Sequence, residues 1–410
     1  MAERKECCRV CNHKIQPLLS YGKMPIANGF INSGEEKNEY FFDLSPAFCT
    51  NCYTFQLIEQ PEPEKMFHGD YAFFSRQSKF MQIHFKKYAE WVQSNYIDSD
   101  DDFIVEIGSN DGIMIENFKN MGLKHLGVDP SENVVEVAKS HGINSIVRFF
   151  GLETSHEIVA DYGKADALIC ANVMCHLPDL NDIAKGAINL LKDDGVMVFE
   201  DPYLGDMLEK VSYDQIYDEH VYIFSAVSAQ AIFGQHGFEL INLVPQETHG
   251  GSMRYVFAKE GKRKVEKIVD DILTKERENK FDDISTYLKF KQDCENSKAR
   301  LLKILNQAKK DGKTVAGYGA TSKSTTILNY CGIGPDLIRF ISDTTPIKQD
   351  KLSPGTHIPV KSHEYFQENV PDIIFLFAWN HAKEIIEKEK DQIDKSVEWI
   401  THLPNFTVTR

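Results

Sequence analysis

The sequence predicts an α/β protein in three parts. A small cysteine-held module occupies residues 1–70, a Rossmann-like domain 71–260, and a helical connector with a second Rossmann-like α/β domain 261–410. Three observations predict this. Two C-x2-C pairs stand near the N-terminus, an apolar strand running into a glycine turn begins at Phe103, and a second strand–turn–helix begins at Thr314. A chain of 410 residues is also too long for one ordinary core, so two or three domains are expected.

Cys8 and Cys11 form C-R-V-C, and Cys49 and Cys52 form C-T-N-C. Each pair sits on a tight turn that can offer two thiolates, and two such turns complete a tetrahedral site for one Zn2+ ion. Four protein ligands leave no position for water, so the expected metal is structural and holds together a segment too small for its own core. Cys7 is an alternative ligand, but only Cys8 gives the two-residue gap. The long interval between the pairs implies an inserted hairpin or loop. The plainer alternative is four unrelated buried cysteines.

Bulk composition narrows the function classes. The formal charge of −15, with no Lys/Arg block, argues against a nucleic-acid partner, whose phosphates would be repelled. No run approaches the ~20 apolar residues of a membrane span, and "MAERKECCRVCNHK" has no apolar signal core. A cytoplasmic protein with no membrane partner is expected, its nine cysteines reduced. Oligomeric state stays open, a monomer included.

The stretch "DDFIVEIGSNDGIMIENFKNMGLKHLGVDPSENVVEVAK" reads strand, glycine turn, helix, strand, helix. Gly108 and Gly112 flank Ser109, Asn110 and Asp111, where a backbone free of Cβ atoms can approach a ligand at the helix start. Asp129 closes the second strand, placed to accept ribose hydroxyls. The dinucleotide fingerprint G-x-G-x-x-G is missing. The pattern is E-x-G-x-N-x-G from Glu106, and it resembles the class I S-adenosylmethionine-dependent methyltransferases, with Asn110 replacing the usual middle glycine. Acids suit such a site because the cofactor is a sulfonium cation. A fourth strand ends near Asn172, followed by Cys175 and His176. Where the fold usually has an acid before an aromatic, this chain has Arg148, Phe149 and Phe150, leaving Phe149 to hold the adenine by stacking.

Between the fifth strand and the final hairpin lies "YDEHVYIFS". In this architecture, loops beyond the carboxyl ends of the strands build the substrate cleft. Methylating carbon requires a base for a C–H made acidic by a neighbouring carbonyl, and donors for the enolate oxygen. Tyr217, Glu219 and His220 supply those residue types; a buried structural Glu219–His220 pair is the competing reading. Neighbouring residues point apart, so Glu219 and His220 are not expected to attack the same proton.

The segments "FEDPYLGD", "QIYDEHVYIFS", "HGGSMRY", "GYGATSKS", "CGIGPDL", "DTTPIKQ" and "LFAWNHA" together resemble the nucleotide-sugar C-methyltransferase family. They are particularly similar to the enzymes that methylate C3 of a thymidine-diphosphate-linked 4-keto-deoxysugar in antibiotic biosynthesis. The resemblance spans essentially the whole chain. It implies zinc in the N-terminal module, S-adenosylmethionine in the middle domain, and a nucleotide-linked keto-sugar between the middle and C-terminal domains. It also implies His220 as the base, with Tyr217, Glu219, His176 and Tyr71 around it. Tyr71 and Tyr217 can donate to an enolate oxygen, which an ionised carboxylate cannot.

Residues 259 to 312 are charge-rich with helical period, a connector packed on one face. Beyond it, "TVAGYGATSKSTTILNYC" misses the second glycine of a P-loop. Gly319, Thr321, Lys323 and Ser324 at the helix start nevertheless suit a diphosphate. Asp343, Lys348 and Gln349 follow the next strand, where a base or ribose can be read, and Trp379 follows the strand "DIIFLFA". Two other functions remain at this point: an NAD-dependent nucleotide-sugar reductase or epimerase, and a zinc-ribbon nucleic-acid methyltransferase.

Overall fold

The computed structural model describes residues 3–62, 76, 78–390, 393, 396–403 and 407–409. Tyr71 lies outside the described residues. No helix among the described residues is long and apolar enough to cross a membrane.

Buried apolar runs make the strands of the central sheet: all five residues of Phe103–Ile107 are buried, as are the last eight of Leu191–Pro202. Burial on both faces is what continuous apolar runs imply in a helix-covered parallel sheet. This seven-stranded sheet runs in the order Ser145–Val147, Lys124–Asp129, Phe103–Ile107, Ala165–Ala171, Leu191–Pro202, Ser252–Lys259, Phe238–Gln246. Ser252–Lys259 is antiparallel to both its neighbours. Strand order reverses between Phe103–Ile107 and Ala165–Ala171, and the crevice there is where such sheets hold ligands.

The C-terminal sheet has six strands, ordered Val360–Lys361, Ile341–Ser342, Val315–Tyr318, Ile373–Leu376, Glu398–Thr401, Thr407–Thr409. Only the last pair is antiparallel. Its reversal lies beside Val315–Tyr318, the strand that feeds the second glycine turn. The connector is two helices, Lys267–Glu278 and Ile284–Lys310. Asp283 caps the second through the Ser285 amide. Its buried residues, Tyr287, Phe290, Cys294, Leu301, Leu305 and Ala308, form one stripe at helical spacing.

The N-terminal module is not an appendage. Its strands Gln16–Pro17, Pro46–Phe48 and Phe55–Leu57 are completed by a fourth, Tyr222–Ile223, which comes from the middle of the chain and pairs antiparallel with Phe55–Leu57. Tyr287 of the connector stacks on Phe48 at 4.1 Å. One continuous apolar cluster therefore takes Phe48 from the module, Ile223 from the middle domain, Tyr287 from the connector and Phe375 from the C-terminal sheet.

Candidate active site

Cys8, Cys11, Cys49 and Cys52 converge, their sulfurs all within 4.8 Å of one another. Cys8–Cys52 and Cys11–Cys49 separations are both 3.5 Å. A tetrahedron with Zn–S bonds of ~2.3 Å has sulfurs ~3.8 Å apart, so the donor set fits zinc. Gln56 donates to the Cys8 sulfur at 3.0 Å and Thr54 lies 3.0 Å from that of Cys52, an outer layer that fixes the thiolates. Cys7 is outside this group; its backbone bridges to Lys14.

The first glycine turn has a physical reason for each special residue. Gly108 has φ +64, and a Cβ there would fall 2.5 Å from Val173; at Gly112, φ +78, it would fall 2.3 Å from Ile143. Asn110, with φ +49, occupies the left-handed region that asparagine tolerates best among residues with a side chain. This explains how it stands in for the middle glycine. Asp129 accepts from the amides of Asn110 and Ser131, both at 2.9 Å, and so braces the turn. Buried oxygens of Glu106 and Asp111 have no hydrogen-bond partner among the described residues, and burial holds the Glu106 carboxyl well above its ordinary range. Under-satisfied acids around a glycine turn suit a ligand carrying positive charge. The turn therefore fits S-adenosylmethionine. Asn172, φ +56, ends the fourth strand, and its amide donates to the Glu200 carbonyl at 2.7 Å. Phe149 is 59% exposed.

Three residues that sequence reasoning missed tie the strand ends together. Arg254 donates Nε and Nη2 to Glu200 Oε2 at 3.1 and 2.8 Å, while His84 Nε2 lies 2.6 Å from Oε1. The guanidinium also covers the Tyr88 ring at 3.9 Å. "FEDPY" and "HGGSMRY" carried Glu200 and Arg254, but nothing local showed that the two pair.

The stretch 213–224 is almost entirely buried between the N-terminal module and the C-terminal domain. His220 is buried, its Nδ1 2.7 Å from the Gln215 carbonyl and its Nε2 2.8 Å from the Tyr217 hydroxyl. A carbonyl only accepts, so Nδ1 bears the proton and Nε2 takes the tyrosine's. Burial, then the nearby His176, hold the His220 pKa well below its ordinary value, and the imidazole is neutral near pH 7. His176 stacks on His220 with ring centres 5.4 Å apart, and Cys175 completes a close group. Cys175, His176 and His220 thus form one group of ligand-type side chains, with both nitrogens of His220 engaged. Glu219 turns the other way, accepting from Asn28 Nδ2 at 3.1 Å. Gln215, which opens the segment QIYDEHVYIFS but was given no role there, matters twice: its carbonyl fixes the His220 tautomer, and its side chain donates to the His249 carbonyl at 2.6 Å.

The C-terminal domain contacts this region through Lys323, Thr326 and Trp379. Thr321 caps the helix Ser322–Cys331 through the Ser324 amide at 3.1 Å, after a turn at Gly319 with φ +89. Asp343 accepts from the amides of Ala320 and Thr345 at 2.7 and 2.8 Å. Gln349 donates to the Asp343 carbonyl and Lys348 to that of Ala320. Lys323 reaches across to the His249 carbonyl at 2.9 Å and lies 5.5 Å from the Trp379 ring. Trp379 donates to Asp214 at 2.7 Å. Burial lowers the pKa of the Lys323 ammonium, so an anionic ligand beside it would be favoured.

Comparison with known proteins agrees along the chain. Residues 8–67 match a zinc binding domain family, 80–243 a methyltransferase domain family, and 247–404 the family described as C-methyltransferase C-terminal domain. C-methyltransferase NovU of Streptomyces niveus is 33% identical over 401 residues, covering 97% of this chain and 95% of that one. Ubiquinone biosynthesis O-methyltransferase of Bartonella quintana is 33% identical over 95 residues, 23% of this chain and 38% of that protein. A crystal structure of a SAM-dependent methyltransferase from Anabaena variabilis matches 44% of this chain and 86% of its own at 16% identity, TM-score 0.35.

Proposed function

Since the chain belongs to the family of S-adenosylmethionine-dependent C-methyltransferases that carry an N-terminal zinc-binding domain, we propose that its methyl acceptor is a nucleotide-linked 4-keto-deoxysugar. The acceptor atom is C3, next to the keto group, and the nucleotide is thymidine diphosphate. The observation that carries this reading is the buried neutral His220, with its Nε2 lone pair directed at a tyrosine hydroxyl. Transfer to oxygen or nitrogen needs little beyond positioning, whereas carbon needs such a base and a donor beside it.

In this scheme the sugar lies in the cleft between the two glycine turns. Lys323, Thr321, Ser324 and the Gly319 turn hold the diphosphate, while Asp343, Lys348, Gln349 and Trp379 hold the nucleoside. Glu106, Gly108, Asn110, Asp111, Gly112, Asp129, Phe149 and Asn172 would hold S-adenosylmethionine, which would supply an electrophilic methyl group. His220 Nε2 takes the C3 proton, and the C–H electron pair becomes the enolate of C3, C4 and O4. Tyr217 has a single proton to give. Before substrate enters it is spent on His220 Nε2; when the ketone arrives it moves to O4, freeing the base and stabilising the enolate in one exchange. Tyr71 is the second donor, Glu219 orients the sugar, and His176 backs the His220 ring. The enolate carbon would then accept the methyl group, the S–CH3 bond breaking as its electron pair stays on sulfur and S-adenosylhomocysteine leaves.

Incubation with a panel of nucleotide-linked 4-keto-sugars and S-adenosylmethionine tests this: the mass of one sugar increases by one CH2. Modification only of substrates without a keto group would overturn it.

A further inference from the structure

We propose that Asn28, on the zinc-binding module, is a positioning residue for the active site: its side-chain amide orients the Glu219 carboxylate. This rests on the reading that Glu219 works in the cleft.

The loop from Ile26 to Phe30 is pinned from both sides. The Ala27 amide donates to Asp218 Oδ1 at 2.9 Å, and the Ala27 carbonyl accepts from Thr325 of the C-terminal domain at 2.8 Å. Within the loop, the Gly29 amide reaches the Ile26 carbonyl and the Phe30 amide that of Asn28. Ala27 thus already joins the three domains through backbone atoms, and packing does not require the Asn28 side chain, which is exposed. Among the described residues that side chain makes one hydrogen bond, 3.1 Å to Glu219 Oε1.

Glu219 needs such a donor. It is 8% exposed beside Asp218, itself 1% exposed, and two buried carboxylates oppose each other's ionisation. Burial raises the Glu219 pKa, with the Asn28 hydrogen bond and then the charge of Lys348 opposing the rise. The titratable groups facing it are Asp218, Lys348 from the C-terminal domain and Cys175 behind. Lys348 is turned toward the Ala320 carbonyl at 2.8 Å and lies over Phe30. The direct hydrogen bond therefore falls to Asn28, and an amide keeps it at every pH.

The test titrates the carboxyl carbons of 13C-labelled glutamate by NMR in the full-length, zinc-loaded protein, with Glu219→Gln used to assign the resonance. Asn28→Ala moves the Glu219 midpoint upward, Asn28→Asp moves it further, and Asn28→Gln returns it toward the native value. Asn28→Ala also lowers kcat by about 10-fold with S-adenosylmethionine affinity unchanged. A Glu219 midpoint identical in the native, Asn28→Ala and Asn28→Asp proteins would overturn the proposal. Undiminished kcat in Glu219→Gln would overturn the reading of Glu219 on which it rests, whatever the titration shows.

Discussion

The Tyr217 hydroxyl stands 2.8 Å from His220 Nε2, on a histidine whose other nitrogen is spent on the Gln215 carbonyl at 2.7 Å. The pair fixes both the tautomer and the location of one transferable hydrogen bond. Under the proposed mechanism Tyr217→Phe frees the base but removes a donor for the enolate. Its kcat is expected to fall by about 100-fold, while the substrate's C3 hydrogen still exchanges with deuterated water. Exchange lost together with turnover would mean that the hydroxyl is needed for proton removal itself.

Replacing the imidazole separates the steps differently. His220→Asn should bind S-adenosylmethionine with native affinity, measured calorimetrically, yet fail to exchange the C3 hydrogen. Native exchange in that variant would remove His220 as the base.

How much of this was readable in the sequence follows the range of each interaction. The cysteine quartet was legible because each C-x2-C is a local turn, and the two turns have no other use for four thiols. Strands such as Phe103–Ile107 and Ile373–Leu376 were legible because burial on two faces writes itself as apolar runs, FIVEI and IIFL, whereas short ones such as Ser145–Val147 and Val360–Lys361 carry no such run. The residues around His220 were visible by type, but their partners were not. Gln215 acts through its backbone carbonyl, which any residue could supply. Asn28 meets Glu219, 191 residues away in the chain, and Tyr222–Ile223 joins a sheet whose other strands all precede residue 58. Such contacts follow from topology and leave no periodic trace. Tyr217 could be called a donor, but not that its proton already rests on His220.

That shared sheet joins the cysteine module to the segment that carries His220. Tyr222–Ile223 pairs with Phe55–Leu57, a few residues beyond Cys52 and directly after His220. Cys49→Ser should reduce zinc content below the single ion per chain expected of an S4 site, measured by atomic emission. Thermal stability and methyl transfer should decline together. A stable, active, zinc-free variant would contradict the structural role.

The pH dependence of stability carries a separate signature. Burial holds His402 down to about 3 from 6.5, and neither ring nitrogen has a hydrogen-bond partner among the described residues. Its folded pKa lies below the unfolded one, so on acidification the unfolded chain binds the proton first. Stability is therefore lost as pH falls through 6.5 toward 3, by ~1.4 kcal/mol per pH unit. Asp201 and Asp218, both pushed up to about 8 by burial, act in the opposite sense, but equally in any His402 variant. Denaturant unfolding of His402→Leu between pH 6.5 and 4 should show a shallower loss than the native protein. Parallel curves would contradict the buried neutral imidazole.

The central claim is that the methyl group is bonded to ring carbon. The direct measurement is carbon NMR of the product made with S-adenosylmethionine labelled at the methyl carbon. The labelled methyl is predicted to show one-bond coupling correlations to a quaternary C3 adjoining the C4 keto carbon. A labelled methyl attached to oxygen or nitrogen would contradict the account.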